Sequence, residues 1–421
     1  MWWTRIAARG ALVLVLVVVA CVGGSGVVPH GAGRGPITLA TGRDLTGYLQ
    51  RVLDGWNAAH PAERVTLVQL PEAADEVHAQ MADSLGSRSD RFDVLNIDVT
   101  WTAEFAEAGW IAPLDRDALP MDRLLPSVTS TATFRGRLYA MPYVTNAGLL
   151  YYRKDILDRA GVRPPTTWAE LEQDARTLAP RYGLEGYAGQ FLPYEGLTVN
   201  VAEALRAAGG AILADDGRTV TVDSAAARDG LDVLARGVRE GWIPREALTF
   251  KEEESRAAFE DGRLLFLRNW PYVYDLASAE DSKVAGKFGA VPLPGAGGAT
   301  SSVLGGSNLA VNSRSRHPRT AADLLAYLTS EGVQRKVLTL GSLPPVWVSL
   351  YHDPALIRRY PYLPVLERSV AGAAPRPKSP AYEQVSLAVA AVTSDVLRQQ
   401  VPTSVALERL DQELRRIVGT G

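Results

Sequence analysis

Cysteine is all but missing from this sequence: of 421 residues, only Cys21 carries a thiol. The 400 residues that follow it can form no disulfide, thiolate metal site or cysteine nucleophile, so their stability must come from burial. Histidine is equally sparse. His30, His60, His78, His317 and His352 stand singly, and no HExxH occurs, so neither a metal nor a cofactor is expected. There is no GxxxxGK followed by Ser or Thr, and no GxSxG, which removes the phosphate loop and the nucleophile elbow. A glycosidase would need two carboxylates across a scissile bond, and no local pattern names such a pair. A basic excess is also missing. The net charge is −3, with a pI near 6.0, so nucleic acid is not an expected partner. The run Lys251-Glu252-Glu253-Glu254 is too short to be a charged tail, and no repeat of fixed period is present.

What remains is ordinary globular material, 47% hydrophobic and 22% charged, long enough for two domains. The N-terminus differs. Arg5 and Arg9 precede an apolar run from Ala11 to Ala20, a charged n-region and an h-region of about ten residues. A spanning helix needs about 20 apolar residues, so the run reads as a signal peptide over 1–20. It ends in Val18-Val19-Ala20-Cys21, which resembles a bacterial lipobox. That resemblance implies lipidation of Cys21 and an extracytoplasmic, membrane-anchored protein. Residues 21–35, with Gly23, Gly24, Gly26, Gly31 and Gly33, read as a flexible tether.

Beyond it, β-like runs at 36–40, 65–70 and 92–97 alternate with a helix expected from Asp44 that buries Leu45, Leu49, Val52, Leu53 and Trp56. This is the pattern of βαβ units and a largely parallel sheet. Ligands of such sheets bind beyond the carboxyl ends of the strands, which singles out the loops 41–44, 70–74 and 98–101. Thr167 and Ser224 are positioned to cap helices. Residues 148–152 and 264–267 read as strands, and 289–295 as a Pro- and Gly-rich connector. Helices are expected at 321–328, 333–338, 382–397 and 404–418.

From Arg91 the sequence resembles a known family. Phe92-Asp93-Val94-Leu95-Asn96-Ile97-Asp98-Val99-Thr100-Trp101, Leu138-Tyr139-Ala140-Met141-Pro142-Tyr143, Asn146 to Asp155, Tyr194-Glu195-Gly196-Leu197, Glu252-Glu253-Glu254, Arg268-Asn269-Trp270-Pro271-Tyr272, Leu304-Gly305-Gly306 and Pro375-Arg376-Pro377 follow one another in order. Together they are similar to the extracellular sugar-binding proteins of ABC importers, most of all their trehalose/maltose-binding branch. The resemblance implies an α/β, two-lobed periplasmic-binding-protein-like fold of the class II type, with hinge crossovers and an interlobe cleft. The first lobe would be 36–145 plus 292–343 and the second 146–290 plus 350–421. It further implies a monomer that captures a di- or oligosaccharide, catalyses nothing, and docks on permease subunits. A non-sugar solute such as a polyamine or peptide, or a tethered carbohydrate-active enzyme, is the alternative.

The residues implied as sugar contacts are Asp98, Asn146, Glu252, Trp270 and Arg376, followed by Trp101, Tyr143, Glu195 and Gly306. Carboxylates and amides suit a hydroxyl rim, a guanidinium donates in a fixed fork, and an indole suits the C–H face of a sugar. Plainer roles exist for each: a turn for Asp98, a hinge for Asn146, helix charge for Glu252, core packing for Trp270. Ser307 stands where many relatives carry an aromatic, so one stacking wall is missing or supplied elsewhere.

Overall fold

The computed structural model describes residues 33–419, so Cys21 and the apolar run before it lie outside the described residues. The strands in chain order are β1 (Ile37–Thr41), β2 (Val65–Gln69), β3 (Val94–Asp98), β4 (Thr133–Phe134), β5 (Arg137–Leu138), β6 (Ala140–Ala147), β7 (Leu149–Arg153), β8 (Glu185–Ala188), β9 (Leu264–Asn269), β10 (Phe288–Pro292), β11 (Val303–Val311) and β12 (Ala374–Pro375). They build two main sheets, one per lobe. The first has the order β12-β11-β3-β1-β2, with β6 also on β11; the second has the order β10-β7-β9-β8.

β1 pairs in parallel with both β2 and β3, as the βαβ pattern requires, but β11 runs antiparallel to β3 and β6. The first sheet is therefore mixed rather than largely parallel. The reason is topological: β11 enters from the other lobe and not through a crossover helix. The chain leaves the first sheet at Gly148, between β6 and β7, and returns between β10 and β11. The segment 289–295, expected as a connector, begins as part of β10, paired antiparallel with β7.

The first helix starts later than expected, at Tyr48, and runs to Ala59. Asp44 stays outside it and accepts from the backbone N–H groups of Thr46, Gly47 and Leu49 at 2.8–3.0 Å. Leu49, Val52, Leu53 and Trp56 are buried as the periodicity requires, whereas Leu45 is 47% exposed. Thr167 and Glu170 form a capping box, and Ser224 accepts from Ala227 N–H at 3.2 Å. The helix Glu195–Ala207 gave no sequence signal because it is buried nearly all round, leaving no apolar stripe to read. The tether also ends before residue 35: Arg34 pairs with Glu63 and Asp323 at 3.0 and 2.7 Å, and Gly33 accepts from Arg319 N–H. No described helix is long and apolar enough to cross a membrane.

Candidate functional site

The carboxyl ends of β1, β2 and β3 open onto a cleft between the lobes, with two adjoining compartments of about 350 and 270 Å³. The loops singled out from strand order contribute Arg43, Asp44, Glu72, Ala74, Asp98 and Trp101 to its rim. Both compartments share Tyr48, Asn96, Asp98, Glu252, Trp270, Gly306 and Ser307. Trp101, Glu253 and Tyr272 belong to the outer one; Asn146, Tyr194, Glu195 and Arg376 belong to the inner. A separate cavity of about 370 Å³ behind Ala374–Lys378 has no aromatic lining, and Arg376 is the only one of the sequence-named residues on its wall.

Asp98 ends β3 and lines both compartments. Its carboxylate accepts from Thr100 N–H and hydroxyl at 2.9 and 2.8 Å, closing a turn, and from Arg376 Nη2 at 2.8 Å. Arg376 is 3% exposed. It also donates to Glu195 and, through Nε, to the carbonyl of Leu304 at 3.4 Å. Burial opposes its charge, but Asp98, Tyr382 and Glu195 outweigh burial and push its pKa upward. Glu195 opens its helix, accepts from the hydroxyls of Tyr382 and Ser386, and donates its N–H to Asp75 at 3.1 Å. Burial pushes the Glu195 carboxyl up, with Arg376 opposing.

Trp270 follows β9, and its indole lies across both compartments. The guanidinium of Arg268 sits 4.0 Å from the ring centroid. A Cβ on Gly305 would come within 3.0 Å of the ring, so this glycine on β11 admits the indole. Glu252 heads the helix Glu252–Glu260 and accepts from Tyr194 Oη at 2.5 Å. Burial raises its carboxyl pKa, opposed by Tyr194 and Trp270.

Asn146 and Asn96 add acceptors. The side-chain oxygens of both are buried without a protein partner, while Asn96 Nδ2 donates to Thr41 at 3.0 Å. Each can accept a hydrogen bond from a donor that enters the cleft. Asn96 was not singled out, although it lies two positions before Asp98 in β3 and so shares its face.

Gly306 lines both compartments through its backbone. Its φ is +114°, and a Cβ there would lie 2.1 Å from the Val144 carbonyl. Trp101 is 5% exposed and packs edge-on to His78 at 5.3 Å. Tyr143 is the correction. It is fully buried and borders neither compartment. Val144 and Asn146 of the same strand do border the inner one, and strand alternation turns Tyr143 to the opposite face. Among the described residues, no group of three or more His, Cys, Asp or Glu could hold a metal ion.

Comparison with known proteins agrees with this geometry. The profile described as bacterial extracellular solute-binding protein matches residues 42–335. A probable ABC transporter-binding protein of Deinococcus radiodurans is 34% identical over 401 residues, covering 91% of this chain and 94% of its own. The arabinooligosaccharide-binding protein of Halalkalibacterium halodurans is 25% identical over 313 residues, 69% of this chain and 67% of its own. Among solved structures, maltose-bound T. maritima MalE3 superposes with a TM-score of 0.85 at 31% identity, covering 90% of this chain and 99% of its own.

Proposed function

Since the chain belongs to the bacterial extracellular solute-binding proteins, whose homologues serve ABC transporters and are not enzymes, we propose that it captures a di- or oligosaccharide of the trehalose/maltose type and delivers it to a permease. The observation that carries this reading is the Trp270 ring lying across both compartments beside the amide side chains of Asn96 and Asn146. Hydroxyl donors would satisfy the oxygens while a sugar C–H face covers the indole. Two adjoining compartments suit at least two rings. Four of the cleft carboxylates, Asp98, Glu195, Glu252 and Glu253, already accept from protein donors, which favours a neutral solute over a polyamine, while Glu72 has only Arg43, at 4.0 Å, among the described residues.

In this reading the ligand bridges Asp98 and Asn96 of the first lobe and Glu252 and Trp270 of the second, with Asn146 at the crossover between them, and so favours the closed form. The lobes are 36–145 with 292–343, and 146–290 with 350–421. The protein works as a monomer held to the outer face of the cell membrane by a lipid on Cys21. Calorimetry of the soluble chain against trehalose, maltose, longer glucans, mannitol, a polyamine and a peptide tests the solute. Binding of a sugar is expected; binding of the polyamine or peptide alone would overturn the reading. Labelled fatty acid retained by Cys21→Ser would overturn the anchor.

A further inference from the structure

We infer that Arg268 is the positioning residue of the Trp270 platform and that Glu203 ties this platform to the first two hinge crossovers. This rests on the reading of Trp270 as a ligand platform. Arg268 lies near the end of β9 and Trp270 just beyond it. The guanidinium, 1% exposed, covers one side of the ring at 4.0 Å, leaving a single side for a ligand. Its own position is fixed on every edge. Nε and Nη2 donate to the two oxygens of Glu203 at 2.7 and 2.8 Å, and Nη1 donates to Gln190 at 3.0 Å. A planar fork held this way has no freedom to swing, and the ring stacked on it is held in turn.

Glu203 reaches further than Arg268. Its Oε1 accepts from Val303 N–H at 3.4 Å and lies 3.5 Å from the Ser302 hydroxyl, where the chain enters β11 from the second lobe. On the other crossover, a Cβ on Gly148 would stand 2.7 Å from Glu203 Oε1 and 2.8 Å from Arg268 Nη2. Both crossovers therefore press on one buried ion pair. Stability alone does not explain this pair, because a buried ion pair is commonly no better than apolar residues of the same volume. Its distinctive consequence is geometric: the ring that meets ligand and the strands that bend on closure share one rigid support.

A double-mutant cycle tests this. Arg268→Met combined with Glu203→Gln removes the pair without stranding a charge, and is made in the wild-type and Trp270→Ala backgrounds. Arg268→Lys, which keeps the charge but not the fork, is the conservative variant. With maltose as probe, the paired change is expected to weaken binding at least five-fold in wild type and less than two-fold in Trp270→Ala, with Arg268→Lys between. Equal losses in both backgrounds overturn the inference. The ligand-free indole gives a second readout. The emission difference between wild type and Trp270→Phe is expected to shift to the red when the pair is removed. An unshifted difference spectrum overturns the inference even if maltose and every other sugar fail to bind, an outcome that would sink the sugar reading separately.

Discussion

Arg376 Nη2 and Asp98 Oδ1 lie 2.8 Å apart, and the same guanidinium reaches Glu195. Asp98 belongs to the end of β3 in the first sheet, and Glu195 heads a helix packed in the other lobe. One buried cation therefore joins two carboxylates across the cleft. The resemblance implied a sugar contact for Arg376; the structure shows it bracing Asp98 against Glu195.

Removing this brace is expected to do more than weaken binding. Arg376→Met leaves Asp98 and Glu195 facing each other, 23% and 12% exposed, without a counter-charge. Breaking a buried pair from one side costs about 3–5 kcal/mol. Chemical denaturation should show a loss of that order in the ligand-free protein. Asp98→Asn, which can still accept from Arg376 and Thr100, should cost less. Equal stability of wild type and Arg376→Met would contradict the brace.

A second interlobe contact responds to pH. His78 of the helix Ala74–Gly86 lies 2.7 Å from Glu104 and 3.8 Å from Glu383, with Asp75 nearby. Burial pushes Glu383 up to about 7; His78 opposes the shift, and Asp75, Glu195 and Glu104 add to it. Burial would lower the His78 pKa, but Glu104, Glu383 and Asp75 outweigh it and the net shift is upward. For both groups the folded protein holds its proton more tightly than the unfolded chain does. The stabilisation they give is present at low pH and lost as pH rises, for Glu383 between about 4.3 and 7 and for His78 on passing above its folded pKa. Thermal melts should therefore fall between pH 5 and 8, by an amount worth about 2 kcal/mol. Glu383→Gln should flatten that slope. A wild-type profile that rises over the same window would exclude the coupling.

How much of this was legible depended on whether a local rule reached the residue. Asp98 and Trp101 could be placed because a parallel strand announces its carboxyl edge. Thr167 and Ser224 announced their helices by cap chemistry. Tyr143 was misplaced, although Tyr143 and Asn146 lie an odd number of positions apart in one strand and so face opposite ways. Glu195 stood on a helix without an apolar stripe, and its partner Arg376 is 181 residues away. The Arg268–Glu203 pair spans 65 residues. Such pairings arise only when lobes and crossovers close on each other, and no spacing in the chain encodes them.

Gly306 supplies a third test, one of backbone rather than chemistry. Its φ of +114° is rarely adopted by other residues, and a Cβ would meet the Val144 carbonyl at 2.1 Å. β11 also pairs with β6 at this point, Gly306 opposite Thr145, so the neighbour cannot retreat without breaking the ladder. Gly306→Ala should destabilise the ligand-free protein by about 1–3 kcal/mol. An alanine variant with an unchanged melt would show that Gly306 is dispensable to the fold and that its place in the cleft has another cause.

Ser307 is expected to set the length of ligand that fits. It sits opposite Asp98 on β3 and Val144 on β6, and lines both compartments where they meet. A large side chain here would occupy the shared space, whereas serine leaves it to the ligand. Ser307→Trp should therefore penalise a ligand that spans both compartments more than one that fills a single compartment. Forcing a ligand against an added ring costs about 1–3 kcal/mol when the site cannot relax, which corresponds to roughly 5- to 150-fold in affinity. Calorimetry of wild type and Ser307→Trp against maltotriose, maltose and mannitol measures the contrast. The expected order of loss is maltotriose, then maltose, then mannitol. If the variant weakens all three equally, the serine does not set ligand length. If it strengthens maltose alone, the added indole stacks on a ring that Tyr48, Trp101, Trp270 and Tyr272 leave uncovered, and the serine does not set ligand length.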